Sequence, residues 1–505
     1  MQKEQLSSSD IKKACDILRR DDWVGAKNYV SEISWILFLK LFEEIENIFF
    51  DIAESKMQNY TFVIKKDYQW SSWVHREDLR KNPEKMLSFV REEIFPYLKN
   101  LSWDYWVKVS QIFNTLVQPK IWSWYNLLDV IDIFDKIKKS DFVDSHLLSH
   151  AYEEILTQMW TEWWWSGEYY TPRWVIKFLI HAIDPKAWEK IKDPFAWSGW
   201  FLVESFEYLK QKLDWENMSI KEQKKLADKT LFWQEKKQEW YILGMMNLIT
   251  HWVLKPNIDL KNTFWEDLNS IAWEYDIILT NPPFWGKEAP HIYKHYEYAT
   301  SATEWLALQY IMKTLKNWGR AGIVLPDWQL LFATWTFQDI RKKLFERNKL
   351  KYIVSLPAWV FAQMWTWIKT ICMIFEKWTS TNNIVYYNLN WKYTKKKLLT
   401  FDGIKQILDD MKEINDWIFG KNLQEQDILN FNFAWDDKDK IFDRWIVSLK
   451  YFEENNYDLS PKNPFEKEEL ILWVKENIKL LDKSKNWFDK EFESLKILLK
   501  ENNLV

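Results

Sequence analysis

Between about residues 165 and 377, short apolar runs alternate with amphipathic helical stretches. The runs are Lys190–Pro194, Lys229–Gln234, Tyr275–Thr280, Gly322–Pro326, Tyr352–Pro357 and Thr370–Glu376. Helix patterns fall between them over Phe201–Lys212, Gln238–His251, Glu304–Asn317 and Thr336–Asn348. This alternation predicts an α/β fold with a mostly parallel, doubly wound sheet. Ligands of such sheets bind beyond the carboxyl ends of the strands.

Residues 1 to about 150 read differently. Long amphipathic stretches with little β-branched alternation predict an all-helical region. Ile33, Leu37, Leu41, Ile45 and Ile48 share one helical face, while Lys40, Glu43, Glu44 and Glu46 interrupt the apolar run, so Ile33–Phe50 is expected as a core helix and a membrane span is not. The stretch 380–465 is mixed. In the tail, Ile471, Val474, Ile478, Leu481, Phe488, Phe492, Leu495 and Leu499 follow a heptad-like spacing. That seam suits either a helix packed on its own domain or one that binds a partner. The expected divisions are 1–150 (helical), 151–400 (α/β) and 401–505 (mixed and helical). There is no internal repeat.

A chain of 505 residues is too long for one ordinary core. Its 69 Lys+Arg against 73 Asp+Glu give no basic excess, so if it acts on DNA a local patch or a partner must supply much of the phosphate contact. Two cysteines make a disulfide framework or cysteine metal site an unsuitable reading, and with a polar N-terminus lacking a signal-like apolar stretch they fit a reducing cytoplasm. The composition is abnormal in one respect. There are 37 Trp and 9 Gly, where average usage implies roughly 35 Gly.

Two constellations carry chemistry. The first, Asp193-Pro194-Phe195-Ala196-Trp197-Ser198-Gly199-Trp200-Phe201-Leu202, follows one expected strand and opens a helix. A tight small-residue loop there lets backbone approach a nucleotide-like ligand. The next strand ends at Gln234-Glu235, where an acid can accept hydrogen bonds from ribose hydroxyls, although Glu235 taken alone reads better as a solvated helix-start glutamate. The second constellation is the strand Asp276–Thr280 followed at once by Asn281-Pro282-Pro283-Phe284. Asn-Pro commonly starts turns, but this one falls at the carboxyl end of a central strand. An exocyclic adenine amine is a poor nucleophile because its lone pair is delocalised into the ring. The Asn281 side-chain oxygen and the Pro282 carbonyl can each accept one amine hydrogen and localise that lone pair, the prolines fix the backbone, and Phe284 offers a face for a flipped-out base. No metal is needed; the i, i+4 pair His291 and His295 lacks a third ligand and reads as solvated.

With these motifs, the segment Gly167-Glu168-Tyr169-Tyr170-Thr171-Pro172-Arg173 makes the chain resemble the adenine-N6 methylases of type I restriction-modification systems, their modification subunits. Gly319–Asp327, Ser355–Pro357 and Asn456–Ser460 also resemble that family. The resemblance implies a Rossmann-like S-adenosylmethionine-dependent methyltransferase domain between an all-helical N-terminal domain and a helical C-terminal region. It implies S-adenosylmethionine contacts at Glu168, Tyr169, Tyr170, Thr171, Pro172, Arg173, Asp193, Ser198, Gly199, Trp200 and Glu235. It adds an acid from Glu266-Asp267, with Asp267 the candidate, and catalytic roles for Asn281, Pro282, Pro283 and Phe284. It further implies a site-specific enzyme acting on double-stranded DNA, two modification subunits joined by one specificity subunit, and a restriction subunit able to join them. The other readings are methyl transfer to an RNA base or a glutamine amide, and a degenerate methylase kept as a scaffold.

The departures from the family cluster at glycine positions: Trp197, Trp200, Trp285, Trp318, Trp328, Trp359 and Trp365. Taken literally, Trp197 and Trp200 would fill the cofactor pocket. Reading the codon UGA as tryptophan where the cell inserts glycine would deplete Gly, inflate Trp and leave both in single motifs, as in Trp197-Ser198-Gly199-Trp200. Many of the tryptophans are therefore expected to be glycines in the cell.

Overall fold

The computed structural model describes residues 8–20, 26–55, 57, 59–101, 107–116, 118–121, 123–137, 171–214, 218, 220–251, 253, 256–327, 335–364, 368–389, 400–420, 423–433 and 442–464. Glu168, Tyr169, Tyr170, Trp328, Trp365 and the heptad-like seam lie outside them.

The N-terminal part is helical, built around the long helix Ala26–Ser55, which contains the expected apolar face. Trp35, Leu37, Phe38, Leu41 and Ile45 of that helix are buried. Three of its acids are buried too, each accepting a backbone N–H from another segment. Glu32 accepts the Lys120 N–H at 2.9 Å, Glu43 the Ser71 N–H at 3.0 Å, and Glu46 the Val63 N–H at 2.7 Å. A buried carboxylate stripe is thus how the helix satisfies neighbouring backbone.

Nine strands form one sheet: β1 Ile191–Asp193, β2 Leu231–Glu235, β3 Asn257–Leu260, β4 Tyr275–Thr280, β5 Leu315–Pro326, β6 Asn348–Leu356, β7 Thr370–Lys377, β8 Asn383–Asn388 and β9 Asp443–Ser448. Their order is β3-β2-β1-β4-β5-β7-β6-β8-β9. β1, β2, β3, β4 and β5 run parallel, whereas β7 lies antiparallel between β5 and β6. The sheet is mixed. β3, β8 and β9 have no counterpart among the expected runs, and β9 lies within 401–505, where it pairs with β8. Helices Trp200–Lys212, Gln238–Thr250, Thr303–Thr314 and Trp335–Arg347 occupy the expected positions to within three residues. The expected helix over 304–317 stops early because β5 starts at Leu315, with an irregularity where 316–319 bulge opposite Asp276.

Backbone conformation sorts the tryptophans. Trp188, Trp197, Trp273, Trp285, Trp318 and Trp378 all have positive φ, between 50° and 96°. Five of their rings are exposed: Trp188, Trp273, Trp285, Trp318 and Trp378. This left-handed region is costly for residues with a Cβ, and glycine is its ordinary occupant. Trp35, Trp70 and Trp73 in the N-terminal helices are instead fully buried. Trp200 and Trp359 are not left-handed. The buried ring of Trp200 lies under the Arg173 guanidinium at 3.8 Å and edge-on to His251 at 5.9 Å.

Candidate active site

From β1 the chain passes to β2 and β3 on one side and then crosses to β4 on the other, so β1 and β4 flank the switch point of the sheet. The two motifs leave the sheet here, side by side. Asp193 ends β1 and is buried; its Oδ1 accepts the Phe195 N–H at 3.1 Å and the Thr280 hydroxyl at 2.6 Å. Burial holds this carboxyl up to about 7, against the lowering effect of those bonds. Asp193 therefore points inward, tying the first motif to the last residue of β4.

The loop after Asp193 is fixed on several sides. The Ala196 N–H donates to the Gln234 carbonyl at 3.3 Å, the Trp197 N–H to Glu235 Oε2 at 3.0 Å, and Asn247 Nδ2 to the Ser198 carbonyl at 2.9 Å. Glu235 Oε1 also accepts the Lys237 N–H at 2.7 Å, so this acid organises two loop amides at the end of β2. Gly199 has φ +81°, and a Cβ there would lie 2.6 Å from Trp233 Cζ3, so both conformation and space exclude a side chain. Ser198 Oγ is buried and has no hydrogen-bond partner among the described residues.

The second motif is clamped by the start of helix Thr303–Thr314. The Thr303 hydroxyl donates to the Pro283 carbonyl at 2.9 Å, its N–H to the Gly286 carbonyl at 3.1 Å, and the Trp285 N–H donates to Glu304 Oε1 at 2.5 Å. Burial raises the Glu304 carboxyl while the Trp285 N–H opposes the rise. Prolines offer no N–H, so the loop keeps its shape through these carbonyl and flanking bonds. Asn281 Nδ2 donates to Thr171 Oγ1 at 2.9 Å, bringing Thr171 to the end of β4. Phe284 is buried, its ring edge-on to Phe361 at 6.4 Å, so its face is covered where an open one was expected.

The remaining expected residues scatter more. Pro172 precedes helix Arg173–Ile183, and Arg173 pairs with Glu204 and stacks on Trp200. Asp267 is exposed and caps a turn through the Asn269 N–H at 3.0 Å, whereas Glu266 takes the Tyr310 hydroxyl and the Lys261 ammonium, both at 2.7 Å. Asp267, His291 and His295 line a cavity of about 1170 Å³ that neither motif lines. Among the described residues no three His, Cys, Asp or Glu side chains gather to hold a metal, and no helix is long and apolar enough to cross a membrane.

Several contributors were not legible beforehand. Thr263 donates its hydroxyl to the Pro194 carbonyl, and Glu288 joins Asn262 and Lys236, each at 3.1 Å, so the loops after β1, β2, β3 and β4 are knitted together. Asn247 is a single polar residue inside an apolar stretch, and Thr280, Thr303 and Glu304 are polar residues that turn out buried. The placement of Asn247 was the available signal, because buried polar groups need partners.

The comparisons with known proteins agree with this geometry. Residues 143–470 match the N-6 DNA Methylase family and residues 7–141 the HsdM N-terminal domain. The type I restriction enzyme EcoEI methylase subunit of Escherichia coli is 31% identical over 478 residues, covering 91% of each chain. A crystal structure of a modification subunit of a putative type I restriction enzyme from Vibrio vulnificus superposes with a TM-score of 0.78 at 26% identity, covering 93% of this chain and 100% of that one. A chain from a structural study of type I restriction-modification complex assembly superposes with a TM-score of 0.72 at 30% identity over 99% of both. The chain belongs to the N-6 DNA methylase family, as an S-adenosylmethionine-dependent, adenine-specific methylase subunit of the type I restriction-modification class.

Proposed function

We propose that the chain methylates N6 of an adenine flipped out of double-stranded DNA, with Asn281 and the Pro282 carbonyl as the acceptors that ready the amine. The observation that carries this reading is the placement of Asn281–Phe284 beside the Asp193 loop at the switch point, clamped by Thr303 and Glu304. S-adenosylmethionine supplies an electrophilic methyl on a sulfonium. The chain's groups fit it: Ser198 Oγ is a buried polar atom awaiting a partner, beside the left-handed turn at Gly199. The loop from Asp193 to Trp200, with Glu235 beside it, would hold the cofactor, and Thr171 is bonded to Asn281 next to it.

Asn281 Oδ1 and the Pro282 carbonyl each accept one amine hydrogen, which draws the N6 lone pair out of ring conjugation. With its lone pair so localised, N6 would be readied as the nucleophile for the cofactor's methyl group, and the proton released by the amine would pass to solvent. Because the acceptors are already fixed, little reorganisation accompanies the step. Phe284 stacks the flipped base once its face is uncovered.

The chain works beside a DNA-recognition subunit, two copies to one, and a nuclease subunit can join them. Near-balanced charge and strong resemblance to methylase subunits favour this division of labour. The test is methyl incorporation into DNA by the assembled complex. Asn281→Ala should nearly abolish transfer with cofactor binding retained, and Phe284→Ala should weaken base capture by about 1–3 kcal/mol. Normal turnover by Asn281→Ala removes the mechanism.

A further inference from the structure

We propose that Thr171 is a positioning residue for methyl transfer, holding the Asn281 amide so that its oxygen faces the incoming amine. This rests on the role of Asn281 given above. The contact is the bond from Asn281 Nδ2 to Thr171 Oγ1 at 2.9 Å, between residues on separate elements, with Thr171 only 7% exposed. A primary amide has a donor end and an acceptor end on one planar carbon. Anchoring the nitrogen on a hydroxyl oxygen directs the carbonyl oxygen to the other side. An inverted amide would present N–H groups, which cannot accept the amine hydrogens and could tie up the lone pair that must attack.

Both partners are also held at the backbone. Thr171 precedes Pro172 and Asn281 precedes Pro282, and a residue before proline is confined to extended conformations. The hydroxyl and the amide therefore meet from two stiffened segments. The role differs from cofactor contact, which is what the Tyr-Thr-Pro resemblance implies for this residue.

The experiment uses the full chain in its assembled complex, decoded as in its own host. Cofactor affinity is measured by calorimetry and single-turnover methylation at saturating cofactor, with plasmid DNA from a methylation-deficient strain. Thr171→Val should slow the single-turnover step about tenfold, the loss expected for one misoriented buried hydrogen bond, and leave cofactor affinity within about twofold. Thr171→Ser, which keeps the oxygen, should restore most of the rate. Thr171→Ala replaces valine if the melting curve shows valine is not accommodated. A weakened cofactor affinity with an unchanged saturated rate would make Thr171 a cofactor ligand and overturn the proposal, as would equal losses for valine and serine. Active Asn281→Ala marks failure of the underlying site instead.

A separate observation carries a second proposal: Trp188, Trp197, Trp273, Trp285, Trp318 and Trp378 are glycines in the protein made by its own cell, through reading of UGA as glycine. All six are left-handed. Trp188, Trp273 and Trp378 were not among the family-matched departures, so backbone geometry adds them independently. Peptide mass spectrometry of the protein from its natural host should find glycine at these six positions and tryptophan at Trp35 and Trp70, which are buried with their indole N–H groups on Glu32 and Asp135, each at 2.8 Å. Tryptophan at 197 and 318 in the native protein overturns the assignment.

Discussion

Replacing Trp318 by glycine should stabilise this chain, although Trp→Gly changes ordinarily destabilise. Trp318 has φ +66° within the β5 bulge, and its ring is 56% exposed. Left-handed backbone costs an L-residue about 1–2 kcal/mol. Glycine returns about 0.5–1 kcal/mol of that through the greater freedom of its unfolded chain. The net is about 0–1.5 kcal/mol in favour of glycine. Trp318→Ala is the control, because alanine loses the ring but keeps the Cβ and hence the strain. Trp70→Gly is the contrast: Trp70 is 1% exposed, and its loss should cost about 3–5 kcal/mol or more. Urea unfolding followed by circular dichroism reads all three, provided the denaturant slope is unchanged. If alanine at 318 is as stable as glycine, the reasoning from φ fails, and any clear destabilisation by glycine sinks it outright.

Asp193→Asn keeps Oδ1 as acceptor for Phe195 and Thr280 and removes the titration. The Asp193 carboxyl is held up to about 7 when folded, against the usual value of about 3.9 unfolded. Its stabilising contribution is complete below the unfolded value and is lost as pH rises towards 7. Unfolding midpoints across that window should therefore fall less steeply in Asp193→Asn, and an identical slope rejects this. Glu304→Ala removes the anchor for the Trp285 N–H and should slow methylation about tenfold with cofactor affinity unchanged, as measured by calorimetry. The chain alone should bind DNA weakly and without sequence preference, as read by fluorescence anisotropy, because its charge is nearly balanced. Deletion from residue 470 should impair assembly with the recognition subunit, and full assembly of the truncated chain by size-exclusion chromatography counts against that.

How much could be read beforehand follows the physics of each element. β4 matched its expected bounds because Tyr275–Thr280 is apolar and ends at Asn-Pro-Pro, where the prolines stop the ladder. β3 escaped notice because Asn257-Ile258-Asp259-Leu260 is half polar, as an edge strand can be. The insertion of β7 between β5 and β6 depends on long-range pairing that no local pattern encodes. In the site, Asn281 and the Asp193 loop were legible as motifs. Their supports were not: Thr303, Glu304 and Glu288 act through tertiary contacts.

Helix Gln238–Thr250 has two allegiances. On one side it packs against helix Ala26–Ser55, and its Tyr241 and Gln238 reach Gln111 and the Thr115 carbonyl in the N-terminal helices. On the other, Asn247 grips the Ser198 carbonyl. The helical N-terminus is accordingly no detachable appendage. Free energy that tightens the Ser198 turn also resists prying those helices away, and by reciprocity an agent that pulls on them taxes affinity at the turn. On the role proposed above for the Ser198 turn, the N-terminal helices are therefore coupled to cofactor occupancy.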